Sequence, residues 1–243
     1  RVLELVKENS TLLIYHHSIF WETGEKIIRN SGCKVIIRYH NITPPHFFEK
    51  YNRMYFDMTK KGREQTERFV ASKRFFWMCD SKFNSEEIKE LGVNNKDIAI
   101  LPPFHNLDYL KNIQPDRNIL EKLNNEKSAN ILFTGRVSPN KGHKKILRVA
   151  RDFKTLFNKK INFWIVGNMD MGLNTYVEEL RGLVQKYQIE HIVHFTNKVP
   201  LHILKAYFLG CDAFLVLSEH EGFCVPIIEA QFFGLPIIAY QST

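Results

Sequence analysis

From residue 130 onward, short apolar runs alternate with stretches in which apolar residues recur every three or four positions, and Gly, Pro, Asn and Ser punctuate the joins. The runs at 130–134, 161–166, 192–195, 213–217 and 236–240 predict strands. The periodic stretches at 142–157, 174–187, 201–209 and 226–233 predict helices, giving the order βαβαβαβαβ. In the first of these helices Ile146, Val149, Ala150, Phe153 and Phe157 form the apolar stripe, and Lys144, Lys145, Arg148, Arg151 and Lys154 take the opposite face. Short, continuously apolar strands joined through helices predict a parallel sheet covered on both sides.

The first hundred residues repeat the pattern more weakly. Strands are expected at 12–15, 34–39 and 75–79, and a helix over about 59–72. A second helix is expected after Asn84, whose side chain can cap it, with Glu87 completing a capping box and Gly92 ending it. The Leu101-Pro102-Pro103-Phe104 segment and the polar stretch to Lys127 read as a linker. The organisation is thus a first domain at 1–104, a linker at 105–127 and a second domain at 128–243, with no internal repeat.

A chain of 243 residues that is 44% hydrophobic can bury one large core or two modest ones. The formal charge is +8, but it is spread evenly, with 17 Lys+Arg against 13 Asp+Glu in residues 1–104 and the same numbers in 105–243. That spread disfavours a nucleic-acid-binding stripe. Cys33, Cys79, Cys211 and Cys224 form no CxxC pair and sit mostly in apolar runs, so they read as structural thiols in a reducing compartment. No apolar stretch approaches the roughly 20 residues that span a bilayer. The opening RVLELVKENS does not read as a signal peptide, so the chain reads as cytoplasmic.

Glu221-Gly222-Phe223-Cys224-Val225-Pro226-Ile227-Ile228-Glu229 lies where a strand turns into a helix. Such a turn aims backbone N–H groups and the positive end of the helix at the carboxyl edge of a sheet, where anionic ligands bind. A carboxylate there can accept from two hydroxyl groups of a sugar. By themselves, two glutamates near a helix start serve more often as caps or solvated groups. A second strand-to-helix loop, Thr134-Gly135-Arg136-Val137-Ser138-Pro139-Asn140-Lys141-Gly142, offers a glycine for close approach and two cations. In a basic protein these are as readily surface charges.

Glu221 and Glu229, followed by Ala230, Gly234, Leu235 and Pro236, resemble the E-x7-E signature of retaining glycosyltransferase family 4, a GT-B group. The 135–142 loop resembles that family's G-R…K-G segment. The resemblance implies an α/β fold of two Rossmann-like domains facing across a cleft, here with an incomplete first domain and missing ends. It implies transfer of a hexose, with retention, from a nucleoside diphosphate sugar such as GDP-mannose or a UDP-hexose to a glycan or lipid-linked acceptor, without cofactor or metal.

The resemblance carries roles onto particular residues. Glu221 is placed by the donor sugar and reacting centre, Glu229 on the ribose, and Arg136, Lys141 and Gly135 on the diphosphate. Backbone of Gly222, Phe223, Cys224 and Val225 is placed at the donor sugar, although Cys224 stands where glycine is common. Gly167 matches the glycine after the second donor-domain strand, and Phe195-Thr196-Asn197-Lys198-Val199 the loop beside the base. Both also read as an ordinary turn and a surface lysine. Tyr39-His40-Asn41-Ile42-Thr43-Pro44-Pro45 resembles a segment of a subgroup associated with bacterial surface polysaccharide assembly. It makes His40 an active-site candidate, and histidine can move protons near neutral pH. Tyr15-His16-His17-Ser18 resembles the same subgroup's acceptor-side loop. Peripheral membrane attachment stays open. The competing readings are a nucleotide-sugar epimerase of the same fold, which the intact E-x7-E disfavours, and a non-catalytic partner subunit that binds nucleotide sugar.

Overall fold

The computed structural model describes residues 2–104, 107–125, 127–157 and 160–242, and parts of the expected linker, residues 105, 106 and 126, lie outside them. The chain forms two compact units that divide between Pro103 and Phe104. The first contains α1 (Val2–Leu5), β1 (Leu12–His17), α2 (Glu22–Arg29), β2 (Lys34–Tyr39), α3 (Arg53–Ala71), β3 (Phe76–Cys79), α4 (Lys82–Glu90) and β4 (Ile98–Ile100). Its strands make a parallel sheet in the order β1-β2-β3-β4. Ile37, Tyr39, Trp77, Cys79, Phe69 and Ile88 form the heart of its core.

Two corrections to the expected helices come from polar groups that found better partners inside. The N-cap of α4 is Ser81, whose hydroxyl accepts from Asn84 N–H at 3.1 Å. Asn84 instead lies buried within the helix and its Oδ1 accepts from Asn41 Nδ2, while Glu87 accepts from Tyr39 Oη at 2.8 Å and pairs with Arg63. Gly92 does follow the helix with a positive φ of 106°. Helix α3 starts six residues before the expected position, behind an N-cap at Asn52 that accepts from Tyr55 N–H. Its buried face carries Thr59, Gly62, Gln65 and Thr66 as well as Phe69 and Val70, so an apolar stripe understates it.

The second unit contains α5 (Leu107–Asn112), α6 (Arg117–Asn125), β5 (Ala129–Thr134), α7 (His143–Leu156), β6 (Ile161–Val166), α8 (Asn174–Tyr187), β7 (Val193–Asn197), α9 (Leu201–Gly210), β8 (Ala213–Val216), α10 (Val225–Phe232) and β9 (Ile237–Ala239). Helices α5 and α6 occupy most of the stretch that reads as a linker. They dock on α9: Lys205 Nζ donates to the carbonyls of Lys111 and Ile113 at 2.6 and 2.7 Å, and Asp116 N–H donates to His202 O. Gly210 lets the helices close, because a Cβ there would stand 2.9 Å from Leu123. The buried face of α7 is His143, Ile146, Leu147 and Ala150, whereas Val149 and Phe157 are exposed. All five strands are parallel, in the order β7-β6-β5-β8-β9.

Candidate functional site

Strands β5 and β8 are neighbours, yet the chain makes β6 and β7 between them, so the connections leaving their carboxyl ends run to opposite sides of the sheet. A parallel sheet opens a ligand crevice at such a switch point. The two loops that line it, 135–142 and 217–224, carry the two segments singled out by sequence, 134–142 and the start of 221–229.

They are tied together through the backbone. Gly135 leaves β5 with φ 145°, and its N–H donates to Val166 O. Asn140 O accepts from Glu219 N–H at 2.8 Å, and Asn140 Nδ2 donates to His220 O at 3.1 Å, with its own Oδ1 held by Ser138 Oγ. Gly142 turns the chain into α7 with φ 73°, so close to the other loop that a Cβ would lie 2.0 Å from Leu217 O. At Gly167, after β6, a Cβ would lie 1.8 Å from Gly135 O, and its N–H donates to Asn197 O.

This lacing brings Lys141 and Glu221 together across 80 residues of chain. Lys141 Nζ stands 2.7 and 2.6 Å from the two carboxylate oxygens, and both side chains are largely buried. Helix α10 begins just beyond. Cys224 enters it with φ 65°, the left-handed region that favours glycine, so the residue that departs from the family's usual glycine adopts a glycine-like backbone. Burial and then the Glu221 carboxylate push the Cys224 thiol up to about 12, so the thiol stays protonated at neutral pH. Gly222, Phe223, Val225 and Glu229 are all half-buried along the same loop and the start of α10.

Arg136 is half-exposed and pairs with Asp170 at 3.4 Å, in the loop after β6. Lys198 stands exposed after β7, two strands from β5, with its backbone N–H on Asn197 Oδ1. Thus the structure brings Gly135, Lys141, Gly167, Glu221 and the start of α10 into one neighbourhood, holds Arg136 beside Asp170, and leaves Lys198 at the rim. Asp170 and Asn140 carried no sequence signal, because what marks them is a partner far along the chain.

His40 belongs to the first unit. It follows β2, its N–H donates to His17 O, its Nδ1 lies 2.8 Å from Asp80 Oδ2 and its Nε2 2.8 Å from His16 Nδ1. His16 and His17 complete β1 rather than starting a loop. His17 is buried, bonded to Thr66 Oγ1 at 2.8 Å, and burial lowers its pKa to about 4. Among the described residues, no group of three or more His, Cys, Asp or Glu side chains is placed to hold a metal ion, and no helix is long and apolar enough to cross a membrane.

Residues 116–243, more than half of the chain and the whole of this crevice, match the family model described as glycosyl transferases group 1. The chain belongs to that family. This group 1 glycosyltransferase is 25% identical, over 98% of its length, to an uncharacterized 41.2 kDa protein in the cps region of Klebsiella pneumoniae, and spans 62% of that protein. It is 31% identical over 28% of its length to the putative colanic acid biosynthesis glycosyltransferase WcaL of Escherichia coli, covering 18% of WcaL. The crystal structure of Anabaena HepE in complex with UDP-glucose superposes with a TM-score of 0.70 at 17% identity, over 90% of this chain and 56% of HepE. The fold is therefore the GT-B class of α/β fold.

Proposed function

We propose that this glycosyltransferase moves a hexose from a nucleoside diphosphate sugar to a hydroxyl acceptor of a growing surface polysaccharide, with retention, as in family 4. The observation that carries the reading is the Lys141–Glu221 pair buried at the switch point beside the start of α10. A lysine held by a carboxylate at an anion crevice can exchange that partner for phosphate oxygens when a donor enters. Glu221 is then freed toward the sugar. Arg136 and Lys141 supply, without a divalent metal, positive charge where the leaving diphosphate gains negative charge, which lowers the barrier more than it strengthens ground-state binding. Gly135 and Gly167 let the backbone approach the donor. Backbone of Gly222, Phe223, Cys224 and Val225 faces the sugar, and Glu229 binds the ribose diol. Lys198 lies on the nucleotide side, and His40 acts on the acceptor side.

A UDP-hexose is the donor class favoured by the UDP-glucose complex of HepE. The cps-region and colanic acid relatives support a polysaccharide acceptor. A thermal-shift screen with UDP, GDP, ADP and their hexose conjugates, run in EDTA, tests the site. One nucleotide at a hundred times its Kd should stabilise the fold by about 2.7 kcal/mol, and Arg136→Ala should lose the shift. Glu229→Ala should weaken nucleotide binding roughly tenfold or more, since hydrogen bonds to a charged group contribute about 1.5–3 kcal/mol. Glu221→Ala should chiefly lower turnover. Unchanged binding in Glu229→Ala together with unchanged turnover in Glu221→Ala would refute the assignment.

A further inference from the structure

Opposite the crevice, at the amino edge of the second sheet, the segments entering β5, β6 and β7 meet the end of α7 around a cavity of about 880 Å³. Such a volume suits a small-molecule ligand. Lining it are Lys127 ahead of β5, Lys160 ahead of β6, His191 ahead of β7, and Lys154 and Phe157 at the end of α7. No Asp or Glu is among its described lining residues. Asn162 and Ser128, also in the lining, are held by a polar lattice: Asn162 Nδ2 donates to Ser128 Oγ at 2.9 Å and to Asn130 Oδ1 at 3.2 Å, and Asn130 Oδ1 also accepts from Trp164 Nε1 at 3.0 Å. Strand β5 is six residues long, so about 20 Å separates this edge from the crevice.

Lysines elsewhere in the chain have carboxylate partners, as Lys26, Lys82, Lys141, Lys144 and Lys145 show. The side chains of Lys127 and Lys160 make no hydrogen bond or ion pair with the described residues. Lys154 has one duty, because its Nζ donates to Gln188 O at 2.6 Å and so caps the end of α8. That bond uses one of three N–H donors and leaves the charge whole. Isolated, such lysines are ordinary solvated charges. Gathered around one hollow, three ammonium groups repel one another, and an anion seated among them replaces that repulsion with attraction. Phosphate suits them, since an ammonium holds phosphate oxygens as a compact charge with several donors. The exposed ring of Phe157 adds an apolar wall.

We propose that this cavity is a second anion site, separate from the donor crevice, for a phosphate-bearing ligand whose oxygens accept from Lys127, Lys154 and Lys160. His191 joins them when protonated, so binding should tighten as pH falls toward 6. None of these residues takes part in the proposed glycosyl transfer, so the site stands or falls independently of that reading. The phosphate can belong to a free molecule or to a lipid headgroup, and the chemistry at the lysines is the same.

Pyrophosphate is the first probe, titrated calorimetrically at low salt into the wild-type chain, Lys141→Gln and the double variant Lys127→Gln/Lys160→Gln. The crevice can also take a diphosphate, and Lys141→Gln removes that contribution. A binding event should persist in Lys141→Gln, and the same event should weaken roughly tenfold or more in the double variant, which loses two charged donors. Both substituted lysines are exposed, so the double variant should melt with the wild type when no ligand is present. Acetylation by acetic anhydride, read by mass spectrometry, locates the site: pyrophosphate should slow the reaction at Lys127 and Lys160 and leave exposed Lys60 of the first unit unchanged. Vesicles containing phosphatidylglycerol, compared with phosphatidylcholine alone, are the second probe. Capture by the former that is lost in the double variant assigns the phosphate to a lipid headgroup, and pyrophosphate binding without capture assigns it to a free ligand. Identical behaviour of wild type and double variant toward both probes overturns the site. Pyrophosphate binding abolished by Lys141→Gln, with no vesicle capture, also overturns it and leaves the donor crevice standing.

Discussion

Cys224 concentrates two opposing effects in one residue. Its φ of 65° places the Cβ in a region that costs an L-residue about 1–2 kcal/mol. Its thiol meanwhile is kept protonated by burial and by the nearby Glu221 carboxylate. Replacing the side chain separates them. Cys224→Ala keeps the backbone strain and loses the thiol, whereas Cys224→Gly loses both. The glycine variant should be more stable than the alanine variant by about 1 kcal/mol, read as a higher midpoint in urea. Both variants leave the Lys141–Glu221 pair in place, so equal kcat values are expected from both, and equal stability would contradict the strained backbone. From the sequence this position shows only as a cysteine in place of a glycine. The strain and the thiol's burial both need the fold.

Glycines behave differently according to the element they interrupt. Gly182, in the middle of α8, has open space where a Cβ would go, so Gly182→Ala should stabilise by about 1 kcal/mol. Gly142 caps the start of α7 and Gly167 follows β6, and at both a Cβ would overlap a backbone carbonyl, so alanine should cost on the order of 3 kcal/mol from overpacking and, at Gly142, left-handed strain. Equilibrium denaturation of the three variants checks the order. The elements of the second unit were legible because parallel strands covered on both faces read as nearly continuous apolar runs, as in Phe163–Val166 and Ala213–Val216. Helix α8 matches its expected limits of 174 and 187. Helix α2 went unread because only Gly24 and Ile28 in it are buried, and α5 and α6 because only Leu110 and Leu123 in them are. The loops of the site were legible as motifs. The Lys141–Glu221 pair was not, since no local spacing encodes a contact 80 residues apart.

Each unit buries a histidine whose pKa that burial lowers, His17 in the first and His143 in the second, and this shapes how the molecule responds to acid. His17 in the first unit is lowered to about 4, and His143 in the second to about 3, both by burial first of all. A histidine with a depressed native pKa takes up a proton more readily when unfolded. Its contribution is therefore complete above the unfolded value of 6.5 and declines as pH falls toward the native values. Within that window each group removes about 1.4 kcal/mol per pH unit. The melting temperature should drop between pH 7 and pH 5. His17→Gln should flatten the dependence in the first unit, followed through Trp77, which lies in that unit's core. A melting temperature constant over this range would contradict both burial assignments.

The backbone ties at the crevice also bear on how such a sequence can drift. Gly142 fits against the carbonyl of Leu217, and Gly167 against that of Gly135; the contacted atom is in each case one that every amino acid possesses. The constraint is therefore one-sided. In a library saturated at 142, 167 and 217 and selected only for folding, the first two positions should return glycine almost alone, while 217 should accept many residues. A lineage could thus rewrite the chemistry facing its ligand and keep the loops where they are, provided that two hydrogen atoms at Gly142 and Gly167 are never exchanged for carbon.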